Sequence, residues 1–248
     1  MARLASLLLL ATVPAMASAA EPPLLRPDHA RALAAELSGE TAKSNLELIT
    51  RHHRMRGSRG FHAAAEHVRD ALRGYGYPDA QIDSFPADGT TFYGTQKSRR
   101  PWDAEFAELW ELQPRGGEWV RAVRVASWEA MPITLAQDSE TGSATAELVD
   151  VGAGTAEADY AGKDVRGKLV LASSQPGAVA RLAVAKHGAA GIVSYAQNQR
   201  TAWWGEDGSL VRWGHLESFA SSPTFAFMVS LQQARAFQQR LSRGELFE

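Results

Sequence analysis

The seven histidines are the residues of this 248-residue chain best suited to hold a metal or move a proton, and their spacing limits what they can do. His62 and His67 fall on one predicted helix together with Glu66. Metal ligands on one helical face sit three or four residues apart, whereas a spacing of five sets two side chains about 140° apart around the axis. Solvated helix histidines are the expected outcome. His52 and His53 are neighbours, so they point to opposite sides of any regular element. His187 precedes Gly188 at a predicted helix end, where an imidazolium complements the helix dipole. Gly152-Ala153-Gly154 begins like a dinucleotide loop, but Glu157 stands where a third glycine belongs, so it reads as a strand-exit turn. Neither a G-x-S-x-G nor an H-E-x-x-H pattern occurs, and the chain has no cysteine. Disulfides, thiolate metal sites and thiol nucleophiles are therefore excluded.

A different chemistry is open to the long connection between Tyr195 and Pro223. It carries Trp203, Trp204 and Trp213 among Glu206, Asp207 and Glu217. Long loops in compact domains often bind ligands, and displayed aromatics suit contact with a peptide or protein. These three tryptophans are the candidate contact residues. The commoner fate of large aromatics is a satellite core packed down on a sheet.

The elements that must position these residues are legible in the periodicity. Leu33, Leu37, Leu46 and Ile49 recur at helical spacings in two stretches broken at Ser38-Gly39. A third helix is predicted to open at Ser58 or Gly60, with Phe61, Ala64, Ala65, Val68 and Leu72 on one face, and to stop at Gly74 and Gly76. Gln81 to Phe85 reads as a short strand closed by a turn at Pro86 to Gly89. From Thr90 to Met131 the pattern alternates like strand and is rich in tryptophan. Gln137 to Ser143 is polar and reads as a linker. Beyond it, strands at Ala146–Val151, Lys168–Ala172, Gly191–Tyr195 and Thr224–Val229 alternate with helices at Ala178–Lys186 and after Ser230, where Gln233 completes a capping box. The fold class is α/β, α+β overall, with a mostly parallel or mixed sheet.

The start of the chain bears on location. Arg3 precedes an apolar run from Leu4 to Met16, and Ala17-Ser18-Ala19 supplies a cleavage pattern. Residues 1–20 thus read as a signal peptide, too short for a permanent span of about 20 residues. The mature protein is expected to begin at Ala20 or Glu21 and to be secreted or periplasmic, with no membrane attachment after cleavage. A net charge of −2 argues against a nucleic-acid partner.

Val165-Arg166-Gly167-Lys168-Leu169-Val170-Leu171, followed by Ala183, Lys186 and Gly188-Ala189-Ala190-Gly191-Ile192-Val193, resembles the protease-associated (PA) domain. In that pattern a glycine turns the chain into a buried strand, a small-residue helix lies on the sheet, and Gly188 ends it in a left-handed conformation. The flanks resemble secreted bacterial zinc aminopeptidases of the glutamate carboxypeptidase and transferrin receptor class. The resembling residues are Leu48-Ile49-Thr50, Arg54-Met55-Arg56-Gly57-Ser58, Ala64-Ala65-Glu66 and Leu72-Arg73-Gly74-Tyr75-Gly76.

The resemblance implies N-terminal helices with part of a peptidase sheet at 21–136, incomplete by itself, and an inserted PA domain at 137–245 with its own core. It also implies two zinc ions in a full-length relative, held by histidines and carboxylates, with a glutamate as general base. The family's His-x-Asp, Asp-Asn and Glu-Glu signatures do not occur here, so no catalytic residue or metal ligand is assigned and no cofactor is expected in this chain. The expectation is the non-catalytic front portion of such a peptide hydrolase, with a PA domain that shapes substrate access. Two alternatives stand beside it: a free-standing exported PA module that binds a peptide or protein, and the PA insert of another exported hydrolase.

Overall fold

The computed structural model describes residues 24–37, 39–196 and 205–245, so the expected signal peptide and Trp203 and Trp204 lie outside the described residues. The chain divides into two compact units, residues 1–48 and 49–248. The first holds α1 (Pro27–Glu36) and most of α2 (Gly39–Thr50), and neither helix buries a residue. Among the described residues, no helix is long and apolar enough to cross a membrane.

The second unit opens with α3 (Arg59–Gly74), whose start is set by Ser58: its Oγ accepts from the Phe61 N–H at 3.1 Å. A two-residue ribbon follows, β1 (Phe92–Tyr93) against β2 (Gln96–Lys97), then a long hairpin of β3 (Glu108–Arg115) and β4 (Glu118–Ser127). The strand expected at Gln81–Phe85 does not form. With no partner strand beside it, alternation in so short a segment has nothing to pair with.

The centre of the unit is a four-stranded parallel sheet of β5 (Leu148–Asp150), β6 (Leu169–Ala172), β7 (Gly191–Ser194) and β8 (Ala226–Met228), in sequential order. Two helices serve it: α4 (Pro176–Ala183) between β6 and β7, and α5 (Leu231–Leu241) after β8. Because side chains alternate across a strand, the sheet has two apolar faces. Val170, Ala172, Ile192 and Ala226 pack with Val179 and Ala183 of α4. Leu171 and Val193 pack with Leu231 and Ala234 of α5. A strand covered on both faces must be apolar at every position, which is why Leu-Val-Leu-Ala of β6 is buried throughout. Gly188 has a φ of 74°, and its carbonyl accepts from the Gly167 N–H at 2.8 Å, so the entries to β6 and β7 are tied together. The α5 start has the expected box, with Ser230 Oγ accepting from the Gln233 N–H and Gln233 Oε1 accepting from the Ser230 N–H.

The stretch read as a linker divides: Gln137 to Ser139 pack down, while Glu140 to Ser143 are exposed, as the linker reading expects. Gln137 is buried, its N–H donates to the Gly214 carbonyl at 2.9 Å, and its carbonyl accepts from the Leu216 N–H at 2.8 Å. Ala136 belongs to the α4-side core, and Leu109 and Val125 of the hairpin pack against the α5-side core. Polar sequence marked the whole stretch as surface, but the backbone groups of Gln137 and Glu140 find partners in distant loops, which no local pattern records.

Candidate functional site

The second unit contains a 610 Å³ cleft between α4 and the segment from Leu216 to Thr224, floored by residues near Arg56 and Trp102. Arg56 is held at both ends. Its carbonyl accepts from the Trp102 N–H at 3.1 Å, and its Nε donates to the Arg100 carbonyl at 2.8 Å. The next residue, Gly57, has a φ of 67° and lies so close to Pro101 that a Cβ there would collide with it. Only glycine meets both demands.

The guanidinium then closes a triangle. Arg56 Nη2 donates to Asp138 Oδ1 and, at 3.1 Å, to Ser218 Oγ, while Ser218 Oγ donates to Asp138 Oδ2 at 2.8 Å. Asp138 is the one non-glycine residue with positive φ among the described residues, at 66°. Aspartate tolerates that region better than most side chains, and its carboxylate is 8% exposed. The chemistry of this triangle is that of a clamp. Ser218 gives its proton direction to a carboxylate already neutralised by arginine, and no imidazole accepts from it, so the hydroxyl is not activated as a nucleophile. The clamp joins three separate stretches, around 56, 138 and 218, and holds the cleft's floor and one wall in register.

What the clamp leaves open is a mixed surface. Arg100, Arg181, Glu140 and Glu217 line the cleft, and none has an ion-pair partner among the described residues. Phe219 lies at its edge, 53% exposed, with Lys97 Nζ 4.7 Å from its ring centroid. The open cleft thus offers cations, carboxylates and an exposed ring within one surface.

The residues singled out from sequence fall in different places. Trp213 is exposed, stacks on His215 with centroids 5.0 Å apart, and does not line the cleft. Its carbonyl accepts from Gln175 Nε2 at 3.3 Å. The loop it belongs to supplies the cleft wall through other residues, Leu216 to Thr224. Glu206 is taken by Arg235 at 2.6 and 3.0 Å, and Asp207 by Ser209. His62 meets Glu66 at 3.7 Å, and no group of three metal-ligating side chains occurs among the described residues. His53 stands edge-on to Trp128 at 4.7 Å, and burial lowers its pKa below the ordinary histidine value. His187 stacks on Tyr160 at 4.6 Å and meets Glu157 at 3.3 Å. Burial, aided by Asp159 and Glu157, pushes the Tyr160 hydroxyl up to about 12. Arg56, Asp138 and Ser218 were missed as a site. Arg56 and Gly57 stand in a motif read for another reason, Asp138 in the supposed linker, and Ser218 carries no local signal.

Solved structures similar to the chain include three peptidases. An aminopeptidase from Aneurinibacillus sp. strain AM-1 is 21% identical with a TM-score of 0.41, covering 86% of this chain and 43% of that one. A zinc aminopeptidase from Bacillus subtilis is 16% identical with a TM-score of 0.44, covering 80% and 41%. A peptidase M28 precursor from Shewanella amazonensis SB2B is 14% identical with a TM-score of 0.46, covering 87% and 47%. The chain therefore spans less than half the length of each of these three. No family model and no curated protein matches it.

Proposed function

We propose that this chain serves a zinc-aminopeptidase-like peptide hydrolase as its non-catalytic, access-shaping portion, with residues 137–245 as a PA-type domain and the clamped cleft as the place where peptide is held. The observation that carries this reading is the cleft itself. It is built by a half-buried Arg56–Asp138–Ser218 clamp and presents charges of both signs with no ion-pair partner among the described residues. The PA-like order of elements around Gly167 and Gly188 supports the domain assignment. Export through a cleaved leader is part of the same proposal, and N-terminal sequencing of the exported protein should read Ala20 or Glu21.

The test uses the full chain with zinc and a free-ended tetrapeptide such as Ala-Leu-Phe-Lys. Binding should perturb amide signals at Arg181 and Glu217, and weaken several-fold in Arg181→Glu and Glu217→Lys, with no residue released. Zinc-dependent release of the N-terminal residue that a chelator abolishes would overturn the non-catalytic reading. Signals that move only outside the cleft would overturn the site.

A further inference from the structure

A second groove, of 1040 Å³, lies in the same unit and meets the cleft at Trp102 and Glu140. One wall is the stretch from Trp102 to Leu112, which includes the first half of β3; from β4 only Arg121 reaches it. β3 pairs with β4 alone, so alternate backbone groups of β3 turn away from β4 with no strand to meet them. The groove is thus on the free edge of β3. The facing wall is Thr141 to Ala146, which leads into β5, the edge strand of the four-stranded sheet. Thr141 to Ala146 make no backbone hydrogen bond among the described residues. Two lines of unpaired peptide groups therefore flank one trough, and its floor is apolar, with Leu135, Leu169 and Phe227 buried beneath it.

We infer that this groove takes an extended polypeptide segment as an added β-strand, bridging the free edge of β3 and the stretch that enters β5. Backbone hydrogen bonding supplies the attachment, and alternate side chains reach the floor. Charge selects among segments. Asp103 is engaged by Arg59 at 3.0 Å, and Glu108 by Trp110 at 2.8 Å and Arg124 at 3.2 Å. Glu105 and Glu140 line the groove with no ion-pair partner among the described residues. The segment is therefore apolar in alternation and carries a basic side chain. Long unpaired edges attract strands in general; here the opposed second wall and the carboxylates define what fits. This groove adjoins the clamped cleft, with Trp102 and Glu140 lining both, but its free strand edge and apolar floor belong to it alone, and it goes beyond the function proposed above.

The test titrates the isotope-labelled full chain with a terminally blocked octapeptide, Lys-Val-Thr-Val-Lys-Val-Thr-Val, and with the same peptide N-methylated at alternate residues. The blocked ends keep it distinct from the free-ended probe of the cleft. The expected result is a shift of amide signals at 105–112 and 141–146, with amide exchange there slowed at least tenfold. N-methylation should weaken binding about tenfold, because half the donors are gone, and Glu105→Lys should weaken it several-fold. Binding indifferent to N-methylation, signals that move elsewhere, or no shift at millimolar peptide would each overturn the inference. A concentration-dependent dimer that protects the same amides and is not displaced by the peptide would also overturn it, in favour of a second copy as the occupant. None of these outcomes bears on Arg181 and Glu217, so the two sites fail separately.

Discussion

Helices α3 and α5 are both amphipathic, yet α5 buries Leu231 and Ala234 against the sheet, while α3 leaves Phe61, Val68 and Leu72 51%, 41% and 39% exposed. The apolar stripe of α3 is the more pronounced of the two, and only Ala64 on it is buried. A helical stripe records that a helix has a face to bury; it does not supply the surface that buries it. The sheet supplies that surface for α5, and nothing among the described residues supplies it for α3. The two regions therefore differ in what holds them: interdigitated core in one, local capping and surface pairs in the other.

Truncating one apolar side chain in each region separates the two. Ile192→Ala, at a fully buried position, is expected to cost about 2–5 kcal/mol, and Leu72→Ala less than about 1 kcal/mol because much of that side chain is already wet. Equal losses in denaturant titrations would mean that α3 has a covered face. A smaller effect probes the hairpin's attachment. Glu111 is 8% exposed and receives two bonds of 2.9 Å from Arg240 on α5. Glu111→Gln should cost about 1–2 kcal/mol, below the range for fully buried pairs, because Arg240 is partly solvated. Arg240 also keeps Glu245. No loss of stability would show that the hairpin is not coupled to α5.

On the other side, Ser58→Ala removes the α3 cap and should cost about 1 kcal/mol, read as faster hydrogen exchange confined to Arg59 to Ala64. Loss spread over β6 and β7 would contradict the separation. The smallest effect is a pH dependence. Burial holds the folded-state pKa of His53 below the unfolded value of 6.5, against the opposing pull of Asp103. The folded chain thus binds fewer protons, so this contribution is complete above about 6.5 and is lost as the pH falls through the lowered value. His53→Gln should flatten the fall in Tm between neutral and mildly acid pH. An unchanged slope would sink the assignment to His53.

Much of the architecture was legible. The cap at Ser58, the buried run at β6, the turn at Gly188 and the Ser230–Gln233 box each rest on residues within one or two turns of one another, and the described structure has them. The site was not legible in the same way. Trp213 drew attention by size and composition, but the cleft wall is made by its neighbours from Leu216 onward. The strand expected at Gln81–Phe85 failed because alternation states a preference, and a strand needs a partner.

By itself the sequence determined the alternation of strands and helices from Leu148 to Leu241, the full burial of β6, and the lack of thiol chemistry, because each follows from residue types and their local spacing. Tertiary structure alone decided that Arg56, Asp138 and Ser218 meet. They stand 82 and 162 positions from Arg56 along the chain, and the contact depends on loops packing against one another, a property that no window of sequence contains. It also decided that β3 keeps an open edge, since an edge is defined by which strands do not arrive.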